Sequence, residues 1–167
     1  MTMNFNDAES QMEFSLIPAN TIAKARLTLR PGNDFSDPFL TRSKSGESTY
    51  LDCEWVIMEG EFVRRKIFDK IGISGSDQWV NMGKARIRAI LESAKNIDPK
   101  DMSEAAMSAR KIDSFGELEG LEPIIKIGVE HDRGGIYQDK NKVASIVTPD
   151  NSFHKNYVNN QNIPWGG

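Results

Sequence analysis

The residues in this chain best suited to chemistry are cations and aromatic rings spaced two apart. Phe62, Arg64, Lys66, Phe68 and Lys70 occupy alternate positions. An extended strand sends alternate side chains to opposite faces, so this spacing would gather rings and positive charges on one surface. Cations track phosphates and rings stack on bases, which together suit single-stranded nucleic acid. Lys24, Arg26 and Arg30 repeat the basic part of the pattern on an earlier alternating run. Catalytic chemistry has thinner support. The two histidines, His131 and His154, have no ligand pair at zinc spacing beside them, and neither a metal nor a cofactor is expected. No nucleophile-elbow, Walker or dinucleotide-binding glycine motif is present. Asp52 and Glu54 share one strand face and could hold a divalent metal, as in a nuclease. Carboxylates beside basic strands are more often the partners of those cations, so a non-enzyme is the favoured expectation.

Three kinds of element must position these residues. Residues 49–57 alternate strictly, with Leu51, Cys53, Trp55 and Ile57 on one parity and Tyr50, Asp52, Glu54 and Val56 on the other. This is the pattern of a half-buried strand. Glu59-Gly60-Glu61 turns the chain, and residues 62–71 alternate again with Val63, Ile67 and Ile71 inward, which completes a hairpin. Residues 20–30 form an earlier strand, with Ala23, Ala25, Leu27 and Leu29 inward. Residues 31–48 between them are rich in Pro, Gly, Ser and Asp and read as a long loop carrying Arg42 and Lys44. Ser74-Gly75-Ser76-Asp77 offers a helix N-cap ahead of Val80, Ile87, Ile90, Leu91 and Ala94 at helical spacing. Asp98-Pro99 is expected to start a second helix. Residues 123–130 and 142–148 read as two further strands, joined by a loop with Arg133, Tyr137 and Lys140.

The resulting order is three strands, helices, then two strands. That is the order of an OB-type fold: a mainly β, α+β five-stranded barrel with a helical insertion between strands 3 and 4. Such barrels bind oligonucleotides on the face of strands 2 and 3 and on the loops joining strands 1–2 and 4–5. The expected DNA-binding set is therefore Arg26, Arg30, Arg42, Lys44, Tyr50, Phe62, Arg64, Arg65, Lys66, Phe68, Arg133, Tyr137 and Lys140.

The chain has 167 residues, enough for one domain with a real core. Its net charge of −3 excludes coating nucleic acid through bulk positive charge and leaves only a local basic surface. The single cysteine, Cys53, excludes an intrachain disulfide and fits a reducing cytoplasmic setting. No stretch reads as a signal peptide or membrane span. Residues 1–150 are expected as the binding domain. Residues 151–167 lack periodicity and are expected as a flexible tail. The tail ends in an apolar knob, Ile163-Pro164-Trp165, suited to anchoring on a replication or recombination partner, or on a second copy of the chain. An interaction module using this knob and the same sheet face is the alternative to DNA binding.

Two blocks carry a resemblance: Gly-Glu-Phe-x-x-Arg-Lys-Ile-Phe at residues 60–68, and Gly-x-Tyr-x-Asp-x-Asn-x-Val at residues 135–143. Over residues 19–149 the chain resembles a phage-encoded family of small, recombination-associated single-stranded DNA-binding proteins. The resemblance implies an OB-type fold and sequence-tolerant binding of single-stranded DNA in the host cytoplasm. It carries over Arg65, Lys66, Phe68, Tyr137 and Asn141, with Asn141 and Gly135 also open to a purely turn-forming role. Many single-strand binders end in an acidic tail, and here no acid follows Asp150.

Overall fold

The computed structural model describes residues 1–10 and 15–161. Its core is an antiparallel sheet of six strands: β1 Thr21–Leu29, β2 Leu40–Arg42, β3 Thr49–Ile57, β4 Lys66–Ser74, β5 Ile124–Glu130 and β6 Lys140–Val147. Helix α1 (Asp77–Lys95), helix α2 (Glu104–Ala109) and a short 3-10 turn at Phe115–Leu118 lie between β4 and β5, and α3 (Ser152–Gln161) follows β6. The fold is thus mainly β, in the α+β class.

The inward parities behave as the alternation requires. Ala23, Ala25, Leu27 and Leu29 of β1 and Leu51, Cys53, Trp55 and Ile57 of β3 are buried together with Ile67 and Ile71 of β4. β1 serves two neighbours. Its first half pairs with β5, Thr21 opposite Ile127, and its second half pairs with β3, Leu27 opposite Trp55. The short β2 continues the second of these edges, setting Leu40 opposite Leu51. β4 takes the other edge of β3 along its whole length. The path therefore runs β4–β3–β1–β5–β6. Each step is antiparallel, so β4 and β6 point the same way. They approach one another, but among the described residues no ladder joins them and the sheet stays open at this seam.

Helix α1 packs against both β4 and β6. Ser76 caps it, its hydroxyl accepting from Trp79 N at 3.3 Å, and Asn96 ends it in the left-handed region. The approach is close: a Cβ on Gly83 would fall 1.8 Å from the Gly72 carbonyl oxygen of β4. Only glycine permits this crossing.

Several sequence expectations are corrected. Residues 31–48 are not wholly loop, since β2 forms within them. Residues 61–64 belong to a turn rather than a strand. Arg64 donates its N–H to Ile57 O at 2.7 Å and adopts φ +73°, and Val63 is exposed instead of inward. Alternation across a turn carries no facing information, because the pleat that generates it is interrupted. The second helix begins at Glu104, not at Asp98. Arg110 and Arg88 donate to the carbonyl oxygens of Asp98 and Pro99, the very groups that an early start would need for its first turn. Finally, the first part of the expected tail is α3. Its His154 is buried, with Nε2 3.1 Å from Ser93 O, and its Tyr157 hydroxyl donates to Glu59 and accepts from Lys24 N. Residues 162–167, including the Ile163-Pro164-Trp165 knob, lie outside the described residues.

Candidate nucleic-acid interface

The polar parities of β1, β3 and β4 form one continuous face in three rows. Arg26 lies beside Val56 and Lys66, Thr28 beside Glu54 and Phe68, and Asp52 beside Lys70. Arg30, whose N–H donates to Asp52 O at 2.8 Å, extends the last row. Phe68 lies in the middle row, on the edge strand β4, 54% exposed in spite of its apolar ring. The Arg30 guanidinium lies 5.4 Å from its centroid, and the Lys70 ammonium lies 4.8 Å from that of Tyr50. Each ring is therefore held against a cation, an arrangement worth about 0.5–1 kcal/mol at exposed sites.

The cations of this face are not unopposed. Lys66 pairs with Glu54 at 2.8 Å, Arg30 with Asp52 at 3.7 Å, and Arg26 with Glu122 at 3.3 Å. Asp52 and Glu54, the alternative metal-holding pair, thus each face a cation. Among the described residues no three His, Cys, Asp or Glu side chains converge as a metal cluster. Solvent-exposed pairs of this kind contribute about 0.2–1 kcal/mol each, so a phosphate can exchange for a carboxylate at small cost.

The remaining expected residues divide into three groups. Arg42 and Lys44 lie at the Thr49 end of the β3 ladder, and Arg42 is tied into its own loop by Asp34 at 3.1 Å and Gly46 O at 3.2 Å. Phe62, Arg64 and Arg65 lie at the opposite end, where Phe62 packs on the core and Arg65 donates to Ser15 O at 2.9 Å. Arg133, Tyr137 and Lys140 belong to the β5–β6 connection. There the Asp132 carboxylate accepts from Ile136 N at 2.8 Å and Tyr137 N at 2.9 Å, and these backbone donors hold its carboxyl below the usual range. The loop is thereby ordered with the Tyr137 ring 77% exposed. The structure does not gather all thirteen residues at one place. Arg26, Arg30, Tyr50, Lys66 and Phe68 share the face, and the Tyr137 loop adjoins it through Lys140.

Asn141 has a structural job. Its side chain accepts from Ile17 N at 2.9 Å and donates to Ile17 O and Gly128 O at 2.9 and 3.1 Å. With Arg65 on Ser15, it clamps the lead-in segment so that Ile17 reaches the core. Two residues of the family-like blocks thus serve the fold.

The open seam between β4 and β6 is a cleft of about 540 Å³, bordered by Phe68, Asp69, Lys70, Arg86 and Lys142. Only Phe68 among these five belongs to the expected set. Asp69 falls on the inward parity of β4, between Ile67 and Ile71, where the pattern calls for an apolar residue. Its Oδ2 and the Trp55 Nε1 are both buried without a hydrogen bond of normal geometry, although the indole lies close enough to favour the carboxylate. Burial raises the Asp69 carboxyl above its ordinary value of 3.8, and the Arg86 charge opposes that rise only in part. The folded chain therefore holds this proton more tightly than the unfolded chain. The contribution to stability is fully present below pH 3.8 and is lost as pH rises through the folded-state value. Asp69→Asn is accordingly expected to raise stability at neutral pH, because it keeps the shape of the side chain and removes the buried charge. Thermal melts at pH 7 and in acid would show the gain shrinking as pH falls. An equal gain at both would exclude ionisation as the cause.

No model of a known protein family matches the chain, and a search of curated proteins finds no significant match. No helix among the described residues is long and apolar enough to cross a membrane.

Proposed function

We propose that this protein is a non-enzymatic, sequence-tolerant binder of single-stranded DNA, built as an OB-type barrel left open at one seam. The strand path β4–β3–β1–β5–β6, with a helix between β4 and β5, supports that fold reading. β4 and β6 would be its closing pair, and a parallel pair is slightly the weaker kind. The observation that carries the function is Phe68, exposed on the β4 edge of a sheet face and flanked by Arg30, Lys66 and Lys70. A base stacking on this ring gains about 1–3 kcal/mol, against about 0.5–1 kcal/mol for the Arg30 interaction it displaces. Arg30 is then released toward a phosphate. The backbone is followed by cations and no base edge is read, so little sequence preference is expected. The likeness of residues 60–68 and 135–143 to phage recombination-associated binders supports a role in phage-type DNA replication or recombination.

Anisotropy titration with labelled oligo-dT tests this reading. Binding should weaken steeply with salt, and Phe68→Ala should reduce affinity by about 1–3 kcal/mol with an unchanged melting temperature. Absence of binding to single-stranded DNA at low salt would refute the proposal.

A further inference from the structure

We propose that the cleft between β4 and β6 is a phosphate-binding subsite of this surface, with Arg86 of α1 as the cation at its floor. The inference rests on the single-stranded DNA reading and extends it to a site that the sequence pattern did not mark. The cleft lies where two unpaired strand edges face each other, and Phe68 forms part of its wall, so a strand stacked on that ring has a continuous path into it. Its volume, about 540 Å³, falls within the range of small-ligand sites, about 300–1,000 Å³.

Charge arriving from three elements favours an anion there. Lys70 comes from β4, Arg86 from α1, and Lys140 and Lys142 from β6. Three carboxylates also border the cleft, and two already face other cations: Asp52 faces Arg30, and Glu130 faces Lys140 at 3.6 Å. Lys70, Arg86 and Lys142 then stand against Asp69 alone.

Arg86 is pre-positioned for this task. One guanidinium nitrogen donates to Val143 O of β6 at 3.3 Å, which ties α1 to the β6 side of the seam. The fork geometry leaves its other donors for a second acceptor, and a phosphate oxygen matches that geometry. Asp69 sits in the same cleft at a position an aliphatic residue would fill more favourably. A costly polar residue at such a place is expected where a binding site must be oriented.

The test compares wild type, Arg86→Gln, Lys142→Ala and Phe68→Ala by oligo-dT anisotropy across a salt series, with melting temperature recorded for each. Arg86→Gln and Lys142→Ala should each weaken binding about tenfold and make the log–log salt slope shallower by about 0.7, the change expected on a single strand when one fewer phosphate is neutralised. Lys142 is exposed, so its variant keeps the test valid if Arg86→Gln loosens the seam. Unchanged affinity and slope in both variants, alongside weakened binding by Phe68→Ala, would overturn the subsite while leaving single-stranded DNA binding intact. A wild-type protein that does not bind oligo-dT would overturn both.

Discussion

Trp55→Ala is expected to cost about 3–5 kcal/mol of folding stability, the usual loss when a buried large aromatic is truncated. Trp55 has no exposed surface and stands in the C-terminal half of β3, opposite Leu27 of β1 and Ile67 of β4, both also buried. Truncation leaves a cavity bordered on two sides by paired strands, which cannot close in without breaking register. A domain of this size has about 5–15 kcal/mol to lose, so the variant should show a large fall in urea midpoint and melting temperature. Trp55→Phe separates two contributions. It keeps most of the volume and removes the unbonded Nε1, so its loss should be much smaller than that of the alanine variant. A loss of DNA affinity in Trp55→Ala with unchanged melting temperature would mean that this side of β3 faces the ligand.

Glu92→Ala is expected to be comparably damaging, by about 3–5 kcal/mol, because it breaks a buried ion pair from one side. The Glu92 carboxylate, 3% exposed, accepts from Arg110 Nε at 2.8 Å and Arg88 Nε at 3.1 Å. The Arg110 side chain is itself only 10% exposed. Without Glu92 its charge keeps hydrogen bonds to the carbonyl oxygens of Asp98 and Pro99 and to the Met102 sulfur, with the exposed Asp101 carboxylate as the nearby opposite charge. The network joins α1 to the C-cap of α2 at Arg110 and, through Asp98 and Pro99, to the segment leading into α2, so its removal should loosen that region. Glu92 borders neither the cleft nor the sheet face, so DNA affinity measured well below the melting temperature should be unchanged. A loss below about 1 kcal/mol would show that the carbonyl oxygens suffice to compensate Arg110.

These two residues differ in how far the sequence announced them. Trp55 was legible because strand period is a local property: its neighbours at 51, 53 and 57 are apolar and those between them are mostly polar. The same logic placed Arg26, Arg30, Tyr50, Lys66 and Phe68 on the outer face, and the sheet keeps them there. A cap within residues 74–77 was legible for a similar reason, since capping depends on residues within one turn, and the structure selects Ser76. The pattern misled at Val63 and Arg64, because a turn breaks the pleat while the residue types continue to alternate.

What the sequence by itself determined, then, is the set of inward and outward faces, the main helix and the broad β, α+β class. Each follows from periodicity or from a backbone constraint spanning a few residues. Only the tertiary structure decided which faces meet. Nothing near Asn141 says that its amide will hold Ile17, 124 positions away, and nothing near His154 or Tyr157 says that they will dock an Asn-rich segment as α3. The same holds for the cleft, to which β4 contributes Asp69 and α1 contributes Arg86. They come to line one cleft because no ladder joins β4 to β6 among the described residues and α1 packs against both. That arrangement depends on backbone approach at Gly72 and Gly83 and on side chains from distant parts of the chain, which a local pattern cannot encode.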